Sequence, residues 1–198
     1  MLIAARNAIA GGKKRLPYDA EVEYLESDRS SLVDTGIDLF DSTDFDFHLK
    51  FQVLALYDYV TLWAESTDSA ESWIYSNGLC AVRIQNIRVT PQYRINIGSV
   101  IDYKITGRNN DNIFIDINGT TQTLNVIWNP VANMMLFGGY GNTGGQWRFF
   151  SLKLSKDGEL VRDFIPVRVG QVGYMYDRVS RTLFANQGTG AFIVGPDV

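Results

Sequence analysis

The sequence predicts an all-β fold, a two-sheet antiparallel β-sandwich, and three observations predict it. Phe45–Phe51 alternates without a break, with Phe45, Phe47, Leu49 and Phe51 on one side and Asp46, His48 and Lys50 on the other. That is the period-2 pattern of a strand with one buried face. Asn118-Gly119 stands between Ile113/Ile115/Ile117 and Thr121–Val126. Asn-Gly between alternating runs signals a hairpin, because a type I′ turn needs positive φ at both central residues. Beyond Met1–Ala10, no segment of ten or more residues carries helical periodicity. What remains divides into about twelve to fourteen short strands, with turn signals every ~8–12 residues.

The elements follow in order. In Met1–Ala10, Leu2, Ile3, Arg6 and Ile9 fall near helical spacing, and Gly11-Gly12 ends the run. Residues 1–19 therefore read as an N-terminal arm that can include a short helix, and 20–198 as one sandwich domain. Lys13-Lys14-Arg15 follows the apolar stretch, the reverse of the order in a secretory signal. The sharper reading of Met1–Arg15 is an arm that docks on a neighbouring subunit or a larger particle. Asp19–Glu26 and Ser31–Ile37 read as short strands on either side of a polar turn. Leu54–Ala64 sets Tyr57, Tyr59 and Trp63 against Val60, Leu62 and Ala64, a strand inside a sheet with one face to the core and one to a covered or ligand-facing groove. Trp73–Tyr75, Leu79–Ile84, Ile87–Val89 and Gln92–Ile97 follow as short strands, and Val100–Thr106 and Asn112–Ile117 flank a polar turn. Met134–Gly138 reads as a buried strand, and 138–145 as a glycine-rich loop without the Lys-Ser/Thr of a phosphate loop. Phe149–Leu154 runs through Lys156-Asp157-Gly158 into Leu160–Val169, where Pro166 argues for an edge or closing strand.

Composition narrows the function classes. The chain has 198 residues, 45% hydrophobic and 13% aromatic, enough for a substantial core. A net charge of −4 gives no basic footprint for nucleic acid. No run approaches the ~20 apolar residues of a membrane span. Cys80 is the one cysteine, so no disulfide forms within the chain.

Tyr24-Leu25-Glu26-Ser27-Asp28 followed by Val33-Asp34-Thr35-Gly36-Ile37 resembles the opening of concanavalin A-like, laminin-G-like jelly-roll domains of phage and prophage tail proteins and gut-bacterial surface proteins. The likeness continues at Asp116–Gly119, Leu136–Gly139, Arg162–Arg168, Gly173–Asp177 and Phe184–Gly190, and covers most of Val22–Pro196. The resemblance implies a jelly roll and a non-enzymatic recognition or structural module that binds glycan or protein, in a virion or on a cell surface. The same fold also carries glycoside hydrolases, lyases and purely architectural domains that oligomerise, here through Met1–Arg15.

Glu21-Val22-Glu23-Tyr24-Leu25-Glu26 is the nearest match to the paired acids of a hydrolase, but period 2 splits Glu26 from Glu21 and Glu23, and it reads as a solvated strand face. Asp44, Asp46 and His48 share a face and could hold a metal, but the pattern is also that of any amphipathic strand, so no metal site is assigned. Asp111 and Asp116 could contribute to a calcium site, but no loop is dense in acids, and no cofactor is assigned. Cys80 alternates with Val82 and Ile84 and reads as a core residue. The aromatic set is more informative: Tyr57, Tyr59, Trp63, Trp73, Tyr75, Trp128, Tyr140 and Trp147. Sugars stack on such rings while polar groups fix their hydroxyls. The expected ligand-binding residues are Tyr59, Trp63, Trp73, Tyr75, Arg83, Asn109, Tyr140 and Asn142.

Overall fold

The computed structural model describes residues 16–38, 42–65, 70–84, 87–90, 93–108, 112–125, 133–138 and 144–198. The arm Met1–Arg15 and the candidate residues Asn109, Tyr140 and Asn142 lie outside them, as do Asp111 and Trp128. Among the described residues there is no helix, and the strands form two antiparallel sheets.

In chain order the strands are β1 (Ala20–Glu21), β2 (Leu25–Glu26), β3 (Val33–Asp34), β4 (Phe45–Val53), β5 (Tyr59–Glu65), β6 (Ala70–Tyr75), β7 (Cys80–Ile84), β8 (Ile87–Val89) and β9 (Val100–Arg108). They continue as β10 (Asn112–Ile117), β11 (Thr120–Asn125), β12 (Met134–Leu136), β13 (Trp147–Lys156), β14 (Glu159–Val169), β15 (Val172–Asp177), β16 (Thr182–Phe184) and β17 (Ile193–Val194). An eleven-stranded sheet runs β11-β10-β9-β4-β13-β14-β15-β16, with β1, β2 and β17 joined to it. A six-stranded sheet runs β3-β12-β5-β6-β7-β8.

The core lies between them. Phe45, Phe47, Leu49, Phe51 and Val53 of β4 are buried, as their alternation predicts, with Ile101, Tyr103 and Ile105 beside them on β9. From the smaller sheet come Val60, Leu62, Trp63, Ile74, Cys80, Val82 and Ile84. The hairpin at Asn118-Gly119 forms as expected, with φ of 51° and 84°.

Two expectations fail for physical reasons. Pro166 does not mark an edge: β14 lies inside the large sheet between β13 and β15. Its pairing with β13 ends at Phe164 and that with β1 begins at Val167, so Pro166 falls where one neighbour gives way to the next. The missing N–H interrupts neither ladder, and the Pro166 carbonyl accepts from Val22 N at 3.1 Å. The alternation in Gln92–Ile97 does not build a strand. Arg94 makes an isolated bridge to Leu79, and Ile95 N donates to Gly78 O at 2.8 Å, so the segment is pinned without extending a sheet.

One polar contact ties the sheets together inside the core. Tyr103 of β9 reaches across to Ser72 of β6, with the hydroxyls 2.9 Å apart, and Cys80 Sγ lies 3.7 Å from Ser72 Oγ. Cys80 is fully buried, and burial pushes its thiol up to about 12. It should therefore react with a disulfide reagent only after the domain opens. Labelling of native protein at pH 8 is expected to be at least about a thousandfold slower than in denaturant, given the usual few kcal/mol of stability. Equal rates would show that Cys80 is not a core residue.

Candidate functional site

The site lies on the outer face of the smaller sheet. On β6, β7 and the start of β5, residues alternate between core and outer face. Val60, Ile74, Cys80 and Val82 point in, while Tyr59, Thr61, Glu71, Trp73, Tyr75 and Arg83 line an outer cavity together with Arg88 of β8. The cavity measures about 370 Å³, within the ordinary range for small-ligand sites. The register fixes its members. Tyr59 lies opposite Tyr75, Thr61 opposite Trp73, Glu71 opposite Arg83, and Arg83 opposite Arg88.

The rings form a connected set. Tyr59 and Tyr75 have centroids 5.7 Å apart, and Trp73 meets Tyr75 edge-to-face at 5.9 Å. The Arg88 guanidinium lies over both, 5.3 Å from the Trp73 centroid and 5.1 Å from that of Tyr75. Arg83 pairs with Glu71 at 3.0 Å. Tyr59 is 52% exposed and presents its ring to solvent. Two buried polar atoms of the lining, Trp73 Nε1 and the Tyr75 hydroxyl, have no hydrogen-bond partner among the described residues.

A second cavity of about 440 Å³ meets the first at Tyr59, which lines both; Arg29, Leu56, Tyr57, Asp58, Ser76 and Gly144 complete it. Arg29 packs its guanidinium 4.0 Å from the Tyr57 centroid. Its position depends on distant sequence. Asp28 accepts from Ser30 N and Ser30 Oγ at 3.0 and 2.7 Å, and Asn186 Oδ1 accepts from Leu32 N at 2.8 Å. Gln187 N donates to Leu32 O at 2.7 Å. Gly188 approaches so closely that a Cβ there would collide with the Ser30 carbonyl. The Glu26–Asp28 and Ala185–Gly190 segments thus hold the loop that carries Arg29. Burial pushes the Asp28 carboxyl up, but the Ser30 hydrogen bonds outweigh this and keep it below the usual range.

Of the residues expected from sequence, Tyr59, Trp73, Tyr75 and Arg83 come together in the first cavity. Trp63 does not. A β-bulge between Thr61 and Trp63 shifts the register, so that Trp63 lies opposite Ser72 on the inner face, fully buried and 5.9 Å from Phe47. The alternation that grouped it with Tyr57 and Tyr59 is reset by the bulge. Trp147 is also core, stacked on Phe137 at 4.3 Å. Sequence reasoning missed Arg88, Glu71, Thr61 and Arg29. Arg88 carried a usable signal: Arg83 and Arg88 are equidistant from Gln85-Asn86, so a hairpin turning there pairs them. Arg29 carried none, since the chain that holds it is more than 150 residues away, at Asn186.

The other clusters are occupied by structural contacts. Glu21 and Glu26 belong to the larger sheet, where Glu26 pairs with Arg148 at 3.0 Å and Glu21 accepts from the Tyr18 hydroxyl at 3.0 Å. His48 lies 3.0 Å from Asp102, and Asp46 holds Arg108 at 2.7 Å. Asp116 accepts from Gly119 N and Thr121 Oγ1 in its own hairpin. Among the described residues, no group of three or more acids, histidines or cysteines could hold a metal.

No model of a known protein family matches this chain, and no curated protein matches it. Solved structures do match. A candidate carbohydrate-binding protein from Bacteroides ovatus superposes with a TM-score of 0.66 at 9% identity, over 89% of this chain and 60% of that one. This chain has the concanavalin A-like jelly-roll fold. The same jelly roll is found in domains LG4-5 of mouse laminin α1, with a TM-score of 0.51 at 10% identity, over 75% of this chain and 45% of that one. It is found again in a heptameric SAP-like pentraxin from Limulus polyphemus, with a TM-score of 0.51 at 10% identity, over 89% and 90% of the two chains. This chain thus spans less than two thirds of each of the first two neighbours.

Proposed function

We propose that this jelly roll is a non-catalytic carbohydrate-binding module, and that the paired cavities around Tyr59 are its groove. The observation that carries the reading is the row of rings Trp73, Tyr75 and Tyr59 on one sheet face, continued by Tyr57 in the segment before β5 and flanked by polar side chains. Pyranose rings stack their C–H faces on such surfaces, and the described residues leave Trp73 Nε1 and the Tyr75 hydroxyl, both in the lining, without hydrogen-bond partners. The neighbour from Bacteroides ovatus bears on the same reading through its name alone.

A hydrolase reading needs two carboxylates across the scissile bond. Among the described residues, the first cavity is lined by one, Glu71, and Arg83 holds it at 3.0 Å. Glu21 and Glu26, the acids nearest a hydrolase motif, lie on the other sheet. The setting, a phage tail or a bacterial surface, follows from the sequence resemblance, and so does assembly through Met1–Arg15.

A glycan array probed with wild-type protein and with Tyr59→Ala tests the proposal. Tyr59 is half exposed, so its removal leaves the core intact. The wild type is expected to select a defined glycan class. The variant should lose about tenfold or more in affinity, the equivalent of roughly 1.4 kcal/mol. A blank array from folded wild-type protein, or full binding by Tyr59→Ala, would overturn the proposal.

A further inference from the structure

We infer that the groove selects an acidic sugar, and that Arg88 receives its negative charge. This rests on the carbohydrate reading above and names the class of glycan. Among the described residues, the first cavity is lined by two guanidiniums and one carboxylate. Glu71 and Arg83, opposite one another on β6 and β7, neutralise each other at 3.0 Å. Arg88 is the cross-strand partner of Arg83 on the other side. Like charges placed directly opposite repel, and Glu71 is paired with Arg83 rather than with Arg88. Among the described residues Arg88 has no acidic partner; its contacts are the ring faces of Trp73 and Tyr75. In a protein of net charge −4, this is a local excess of positive charge.

The chemistry of that excess is specific. A guanidinium held over aromatic faces spends no N–H hydrogen bond on them, which leaves its N–H groups available to a planar acceptor. A carboxylate or sulfate oxygen pair matches that fork. Beside it stand the buried Trp73 Nε1–H and Tyr75 hydroxyl, without partners, with Trp73 only 7% exposed. A cationic donor, an indole N–H donor and a phenol hydroxyl therefore lie around one ring-sized space, as a uronate or a sulfated sugar requires. Among the described residues, the lining of the second cavity holds one arginine, Arg29, and one acid, Asp58, and carries no such excess. The acidic residue is placed at the Trp73 end, with the chain continuing past Tyr59 towards Tyr57.

The test measures affinity by calorimetry for a panel of oligouronates, their neutral methyl esters, and sulfated oligosaccharides with their desulfated counterparts. Wild type, Arg88→Gln and Tyr59→Ala are compared. Arg88 is exposed and on an edge strand, so Arg88→Gln leaves folding unaffected. At least one acid should bind about tenfold or more tightly than its neutral form, the scale of one charge-assisted contact. Arg88→Gln should abolish that preference, while Tyr59→Ala weakens acid and neutral forms alike. A preference among uronates identifies a carboxylate; one confined to the sulfated sugars identifies a sulfate; both support the inference. Equal affinity for charged and neutral forms, or a preference that survives Arg88→Gln, would overturn it while leaving the carbohydrate reading in place. If no member of the panel binds and Tyr59→Ala changes nothing on the array, the carbohydrate reading fails as well.

Discussion

Trp63→Ala is expected to destabilise the domain by about 3–5 kcal/mol, the usual cost of emptying a large aromatic site in a packed core. For a domain of this size, that lowers Tm by roughly 10 °C. Trp63 is fully buried and packs at 5.9 Å from Phe47 and across from Ser72. The collapse available to the site is limited, because its neighbours come from both sheets and are themselves close-packed. Trp63→Phe keeps most of the volume and should leave glycan affinity unchanged within about twofold, since the ring faces away from the groove. Thermal denaturation and the glycan titration separate the two outcomes. A Trp63→Ala protein as stable as wild type but unable to bind would place Trp63 in the groove and remove the bulge from the account.

Asp177 should prove almost as costly, and its effect depends on pH. It is fully buried, and its carboxylate accepts from Asp163 N at 2.8 Å and from Val179 N and Ser180 N at 3.1 Å, with the Arg162 guanidinium 3.7 Å away. Asp177→Ala leaves those donors and the guanidinium without their acceptor, a loss of about 3–5 kcal/mol. Burial raises the carboxyl, but the hydrogen bonds from Asp163, Ser180 and Val179 outweigh it and hold the group below the usual range. A depressed carboxylate stabilises the fold above its unfolded value, near 3.9, and that stability is lost as pH falls through the folded value. Asp102 is also depressed: burial raises it, and contacts with His48 and Lys104 more than reverse this. Urea titrations should show stability nearly flat above about pH 5 and falling below about pH 4. Asp177→Asn should be less stable at neutral pH and have a shallower acid limb. An acid limb as steep as that of wild type would show that Asp177 does not carry it.

These residues also mark how far the sequence reaches. Phe45–Phe51 and Asn118-Gly119 announce their structure because the forces involved are local: alternation between two solvents, and a turn that needs positive φ. The groove was half legible for the same reason, since Trp73, Tyr75 and Arg83 follow the alternation of their own strands. Trp63 was misplaced because one extra residue in a bulge inverts everything after it, and no local propensity in Thr61-Leu62-Trp63 signals the bulge. Pro166 misled because its cost depends on which neighbour lies alongside, a property of topology. Arg29 could not be found, since its place is set by Asn186 and Gly188 at the far end of the chain. Asp177 sat in a recognisable stretch, but its role as an acceptor for three backbone N–H groups comes from the return of β14 and β15.

Sugar binding on the outer face of the six-stranded sheet is open to a direct test by fluorine NMR of protein carrying 5-fluorotryptophan, with each signal assigned by single Trp→Phe variants and the protein titrated with a glycan that the array returns. The Trp73 resonance should move saturably with ligand, while those of Trp63 and Trp147, buried between the sheets, stay in place. Saturable binding with Trp73 unmoved would put the site elsewhere and contradict the account.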